Sequence, residues 1–215
     1  QLQTDHSELL AEVVRDYCVN QQFRRDIFVK GPRTMAAGTQ VELFRQQRFA
    51  LLADPRDVPL KTRGSSGQVD LNKEVYEPVI AALAEEKFRA KTVAEMGALP
   101  GLKGLKLPQV AQALLILTGS GHVAPAQDKG LVGKVRARTT ALNAALKERA
   151  VTSGDVATLA SPVLGGGVQV TRLHQLFLRA IAAGAKDVDA YAKNVQQLLH
   201  AQGERMRKDN KPIES

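Results

Sequence analysis

A single cysteine, Cys18, occurs in the chain, which excludes an intrachain disulfide and any cysteine-rich metal centre. Tryptophan is absent and aromatic residues make up only 4% of the sequence. Side chains are therefore scarce for an aromatic cage or for a platform that stacks single-stranded nucleic acid. Long apolar runs are missing too. Runs such as Ala113 to Leu117 fall far short of the roughly 20 residues a membrane helix needs. The opening Gln1-Leu2-Gln3-Thr4-Asp5 has neither a basic n-region nor an apolar h-region. It also lacks methionine, and the expectation is a soluble, cytoplasmic module cut from a longer protein.

What is present is ordinary globular composition, with 44% hydrophobic and 24% charged residues in 215, enough to build a core and to rule out a largely disordered chain. The net charge of +8 is unevenly placed. Residues 131–215 hold 13 Lys and Arg against 7 Asp and Glu. Lys134, Arg136 and Arg138 form one basic knot there, and Arg205, Arg207, Lys208 and Lys211 another. Such knots could meet nucleic acid or an acidic protein; the expected reading is solvated helix surface, with the last cations suiting a helix C-terminus.

Periodicity gives a coarse map. Asp5-x-x-Glu8 has the form of a capping box, and Leu9, Leu10, Val13, Val14 and Tyr17 share one face of a helix over 5–19. Phe23 to Val29 reads as a strand broken by Gly31-Pro32, and Val41 to Ala53 as another. Arg63-Gly64-Ser65-Ser66-Gly67 is a flexible turn and a subdomain boundary. Val75, Tyr76, Val79, Ile80 and Leu83 mark the buried face of a helix over 72–88. Thr92-x-x-Glu95 caps a short helix ending at Gly97, and Leu107 to Leu117 is a third helix with Pro108 in its first turn. His122 to Pro125 follows as a strand, the order of a winged helix. Beyond it, Asn143 to Ala150 is an amphipathic helix, and residues 157–170 with Ser161-Pro162 and Gly165-Gly166-Gly167 read as a loop. Leu173, Leu176, Phe177, Leu178 and Ile181 mark one further helix. Val188, Tyr191, Val195, Leu198 and Leu199 mark another, spaced to pack on a neighbour or a partner chain. The expected fold is α+β and helix-rich, with a helix-strand subdomain over 1–67, a winged-helix-like one over 68–130 and a helical one over 131–215.

Candidate chemistry is thin. Gly165-Gly166-Gly167 with Asp187 about 20 residues on echoes a dinucleotide fingerprint, but the G-x-G-x-x-G spacing is missing and Asp187 sits where it would N-cap a helix. His6, His122, His174 and His200 lie at no metal-ligand spacing, and His174 suits a surface position. Cys18 suits a small buried hydrophobe better than a nucleophile. Glu74/Glu77 and Glu85-Glu86 fit a solvated helix face. The helix over 107–117 offers Gln109 and Gln112 to a DNA groove but no Lys or Arg, so the electrostatic part of DNA affinity is missing. A nucleic-acid-binding role for the basic C-terminal segment remains the alternative function.

Two stretches carry a resemblance. Asp16-Tyr17-Cys18-Val19-Asn20-Gln21-Gln22-Phe23-Arg24-Arg25-Asp26-Ile27-Phe28-Val29 and Ala160-Ser161-Pro162-Val163-Leu164-Gly165, the latter preceding the Leu-rich helix from Leu173 to Ile181, are similar to the predicted methyltransferase regulatory domain of bacterial methyltransferases. The likeness runs from about Glu8 to Gly184 and departs at Lys30 and Gly31-Pro32. It implies an accessory, non-catalytic region C-terminal to a class I catalytic domain that uses S-adenosylmethionine; no cofactor is implied in this chain. The implied partners are that catalytic domain, a protein substrate and a second copy of the chain, with neither nucleic acid nor membrane. Arg24 and Arg25 become candidates to pair with acidic groups of the catalytic domain, and Val188, Tyr191, Val195 and Leu198 candidates for domain or dimer contacts. The family defines no catalytic residues in this region.

Overall fold

A computed structural model describes residues 6–18, 30–31, 33–64, 67–204, 207–208 and 211–212. The chain forms two compact units, Gln1–Ala124 and Pro125–Ser215, and its class is α+β with helix dominant.

The first unit runs α1 (His6–Cys18), α2 (Ala37–Gln46), β1 (Arg48–Leu51), β2 (Lys61–Gly64), β3 (Gly67–Asp70), α3 (Lys73–Phe88), β4 (Lys91–Thr92), α4 (Val93–Gly97), α5 (Leu107–Gly119) and β5 (Val123–Ala126). Asn72 starts α3 by accepting the Glu74 N–H at 3.0 Å. Val75, Tyr76, Val79, Ile80 and Leu83 are buried together, as their three-four spacing requires. They meet Val110, Ala113, Leu114 and Leu117 of α5 in one core. The expected capping box forms at α4: Glu95 N–H donates to Thr92 Oγ1 at 3.0 Å, and Thr92 N–H donates back to the Glu95 carboxylate. The last residues of α3 leave the helical path. Glu86, Lys87 and Phe88 take φ of 54°, 57° and 61°, a left-handed turn that disfavours side chains bearing a Cβ. Two contacts hold it: the Arg89 guanidinium on the Glu86 carboxylate, and Lys91 Nζ donating to the Glu85 carbonyl at 2.9 Å.

The three-stranded sheet is ordered β4-β1-β5, with Arg48 opposite Thr92 and Phe49 opposite Lys91 in antiparallel register. Helices α3, α4 and α5 and then strand β5 follow in the expected order, but the sheet also takes in β4, between α3 and α4, where no strand was expected, and its central strand β1 lies upstream of residue 68. The sheet therefore ties the expected first and middle subdomains into one unit, and no unit boundary falls at 67. The strand expected over 41–53 is also revised. Residues up to Gln46 are helical, with Phe44 turned to the core and Val41 and Leu43 exposed, and only Arg48–Leu51 is extended. The strand expected over 23–29 and the capping box at Asp5 lie outside the described residues.

The second unit runs α6 (Lys129–Thr152), β6 (Thr158–Ser161), β7 (Gly166–Gln169), α7 (Arg172–Ala182) and α8 (Val188–Ala201), followed by β8 (Arg207–Lys208) and β9 (Lys211–Pro212). Its core is smaller and gathers Ala150, Leu176, Ala180, Val195 and Leu199. The helix expected over 143–150 lies within the second half of the 24-residue α6. The loop expected over 157–170 is a hairpin, with Thr158 opposite Gln169 and Ser161 opposite Gly166. Two of its glycines, Gly165 and Gly167, serve close packing. A Cβ on Gly167 would come within 2.5 Å of Thr158 Cγ2, and Gly165 turns at φ +73°, where glycine is favoured. Asp187 caps α8 by accepting the Ala190 N–H at 2.8 Å, so the glycine-acid echo of a dinucleotide site resolves into a hairpin turn and an N-cap.

Candidate functional site

The outward face of α5 is the one that the expected winged-helix reading would turn to DNA. Its exposed positions are Pro108, Gln109, Gln112 and Leu115, with no ionisable group among them. Gln109 Oε1 accepts the Lys106 N–H at 2.9 Å, which leaves its amide donor facing outward. Helix α1 adds a second bare surface: Leu10, Val13, Val14 and Tyr17 are all exposed, Tyr17 to 88%. Cys18 is exposed as well, against the burial expected of it, because it ends this uncovered helix.

A charged cluster joins β1, the end of α3 and α4. Arg48 and Arg89 each reach Glu95 at 3.1 Å, and Arg89 also reaches Glu86 at 2.7 Å. Burial alone would raise the Glu95 pKa. The Thr92 N–H and the two guanidiniums outweigh it and hold the carboxyl at about 2, below its ordinary 4.5. A carboxylate depressed in the folded state stabilises the fold fully above its unfolded pKa. That contribution is lost as pH falls from about 4.5 toward 2. In urea titrations at stepped pH, Glu95→Gln is expected to be less stable than wild type at pH 7. The difference should shrink steadily below pH 4.5. Glu74, Glu77, Glu85 and Glu86 are exposed, as expected of a solvated face.

In the second unit three amide side chains hold the hairpin. Asn143 of α6 exchanges two 2.8 Å hydrogen bonds with the Ala160 backbone. Gln127 accompanies the turn, its side-chain Nε2 donating to the Pro162 carbonyl at 3.3 Å and its backbone N–H to Val163 O at 2.7 Å. Gln175 donates from Nε2 to the Val156 and Val170 carbonyls at 2.7 and 2.9 Å. Arg172 closes the end of α6, donating to the Ala150 and Val151 carbonyls at 2.8 and 3.0 Å and to Glu204 at 2.6 Å. A cation on the last carbonyls suits the helix dipole. No local periodicity marks any of these residues; they are found only through the carbonyls they meet.

The candidate contact residues separate. Arg24 and Arg25 lie outside the described residues. Val195 is buried in its own unit, Leu198 packs against that core, and Tyr191 sits edge-on to Phe177 at 5.6 Å. Their spacing is consumed by α7, so of the four Val188, 64% exposed, is the one left open to a partner. Lys134, Arg136 and Arg138 are exposed on α6 and have no ion pair among the described residues. His174 is exposed and its Nδ1 lies 2.7 Å from Thr171 Oγ1. Among the described residues no three His, Cys, Asp or Glu side chains converge on a metal position. No helix there is long and apolar enough to cross a membrane.

The chain is 35% identical over 204 residues to uncharacterized protein sll1526 of Synechocystis sp.. The match takes in 95% of this chain and 39% of that protein, so the chain spans well under half the length of this curated relative. No family model matches the chain, and no solved structure matches it.

Proposed function

We propose that this chain is a non-catalytic accessory module of a larger, bacterial, cytoplasmic S-adenosylmethionine-dependent methyltransferase, working by protein–protein or domain–domain contact. The outer face of α5 carries the contact half of this reading. A helix placed to meet a partner through Pro108, Gln109, Gln112 and Leu115, with no cation, suits a protein surface and forgoes the electrostatic term on which DNA affinity depends. The methyltransferase half rests on the resemblance at Asp16–Val29 and Ala160–Gly165. The 39% share of the Synechocystis protein supports it, since a relative of that length has room for a catalytic domain. Val188, Arg24 and Arg25 stay as candidate contacts to such a domain, with a protein substrate or a second copy as further partners.

An immunoblot of source cells with antibody against this chain is expected to show a band well above 23.3 kDa. The purified larger species is expected to bind S-adenosylmethionine in calorimetry. A band at 23.3 kDa with no S-adenosylmethionine-binding protein co-purifying would overturn the reading. The exposed cations of α6 favour a second one, nucleic-acid binding. Lys134 and Arg138 lie four apart on one side of the helix, but Arg136 falls about 200° around from Lys134, so the three do not form one stripe along a phosphate backbone. Binding to a 20-base-pair duplex that weakens steeply with salt would favour that second reading.

A further inference from the structure

Helix α6 carries a charge imbalance that its own unit does not relieve. From Lys129 to Lys147 it holds five cations, Lys129, Lys134, Arg136, Arg138 and Lys147, and no acid. The acidic groups of the second unit are engaged elsewhere. Asp128 and Asp187 cap helices by accepting the Gly130 and Ala190 N–H groups. Asp155 pairs with Arg149, Glu148 with Arg179 and Glu204 with Arg172. Among the described residues Asp189, on α8, is the one acid of the unit without such an engagement. The cations on the open sides of α6 therefore present an uncompensated positive field.

Position around the helix sorts these groups. Val132, Val135, Thr139, Asn143 and Leu146 are half-buried on one side, where Asn143 holds the β6–β7 hairpin. Leu131, Lys134, Arg138 and Leu142 follow one another at steps of three, four and four, and so form a single stripe along another side. All four are exposed, Leu131 to 44% and Leu142 to 51%. The stripe is apolar at both ends and doubly positive between them. That order selects the partner. A membrane-surface helix keeps apolar and basic groups on opposite faces, whereas here they share one. A duplex offers phosphates to the two cations but nothing apolar to the leucines. A second helix packed along the stripe satisfies all four, setting apolar side chains on Leu131 and Leu142 and carboxylates on Lys134 and Arg138.

We propose that this stripe of α6 binds an acidic amphipathic helix of a partner protein. Two carboxylates about one turn apart would meet Lys134 and Arg138, and apolar side chains on either side of them would cover Leu131 and Leu142. The surface is separate from the outer face of α5, and the proposal uses neither that face nor the methyltransferase assignment.

The test uses the whole 215-residue chain as bait for a phage library of 18-residue helical peptides randomised on one face. The selected peptides are then synthesised and their affinities measured by fluorescence anisotropy. They should be rich in Asp and Glu and keep apolar residues on the same face. The double variant Lys134→Glu with Arg138→Glu is expected to weaken their binding at least about tenfold, and Leu142→Ala about threefold. Melting temperatures should stay near wild type, since every altered side chain is exposed. Arg136→Glu makes the same kind of charge change on another side of the helix and should move affinity less than about twofold. Replacing the acids of a selected peptide by Lys should restore binding to the charge-reversed chain. Recovery of no binding peptide, peptides without an acidic bias, or a loss below about twofold in the double variant would each overturn the proposal. So would failure of the charge swap, or equal losses from Arg136→Glu and Lys134→Glu, which would reduce the effect to net charge. A 20-base-pair duplex or phosphatidylserine vesicles that displace the peptides, and lose their hold in the double variant, would reassign the stripe and refute it as well. Peptides that respond to Leu115→Arg instead would refute the stripe while the contact reading of α5 survives.

Discussion

Leu114→Ala is expected to lower the unfolding free energy by about 2–5 kcal/mol, the range for truncating a buried leucine to alanine in a packed core. Leu114 has 0% exposure and sits in the middle of α5, where that helix packs on α3 in the main core. Its neighbours Ala113 and Leu117 are equally enclosed, so the backbone has little room to collapse into the void. The effect read in a urea denaturation should therefore be a shift of midpoint with the slope unchanged. Leu115, one residue along the same helix, is 66% exposed. Leu115→Ala serves as the control and should stay within about 0.5 kcal/mol of wild type. Equal effects at the two positions would contradict the orientation of α5 and, with it, the assignment of its outer face.

Gln175→Leu is the second large expectation, and its mechanism is electrostatic saturation of the backbone rather than volume. Gln175 is fully buried and its one amide nitrogen serves two carbonyls, Val156 and Val170, that flank the open end of the β6–β7 hairpin. Leucine is close in size but donates nothing. Each carbonyl stranded without a partner costs about 1–3 kcal/mol, so the variant is expected to unfold earlier by more than a simple change in packing would explain. Amide exchange should locate the damage: Val170, whose N–H bonds Ala157 O at 2.9 Å, should lose protection before residues in the middle of α7. Gln175→Glu, nearly the same shape, would set a carboxylate oxygen against these carbonyls and should be worse still. Tolerance of both substitutions would show that the hairpin does not depend on this staple.

The residue-level map and the structure agree where interactions stay within about four residues. The buried stripe of α3, the Thr92–Glu95 box, Pro108 in the first turn of α5 and the Asp187 cap on α8 all form as their spacing requires. Both partners of each such contact lie inside one window of sequence. The uncharged face of α5 is legible in the same way, since three-four spacing tells which positions share a side of a helix. The order of α3, α4, α5 and β5 follows from reading those elements in turn, whereas the two-residue β4 carries no local signal.

What failed to show in the sequence shares a different property: the partner is far along the chain. Arg48 meets Glu95 across 47 positions, Asn143 meets Ala160 across 17, and Arg172 meets Glu204 across 32. Nothing in the stretch around Arg48 announces that a four-residue segment will be the centre of a sheet whose other strands come 40 to 75 residues later. Glycines at 165–167 are turn formers in any local reading. They make a hairpin because Thr158 and Gln127 close on them, and that approach belongs to the folded unit. By itself, then, the sequence determined α3, α4, α5, α7 and α8, the caps at Thr92 and Asp187, the inward face of α3 and the lack of charge on α5. The tertiary structure alone decided which strand completes the sheet and which amides staple the hairpin, because each of those depends on groups that only folding brings within hydrogen-bonding distance.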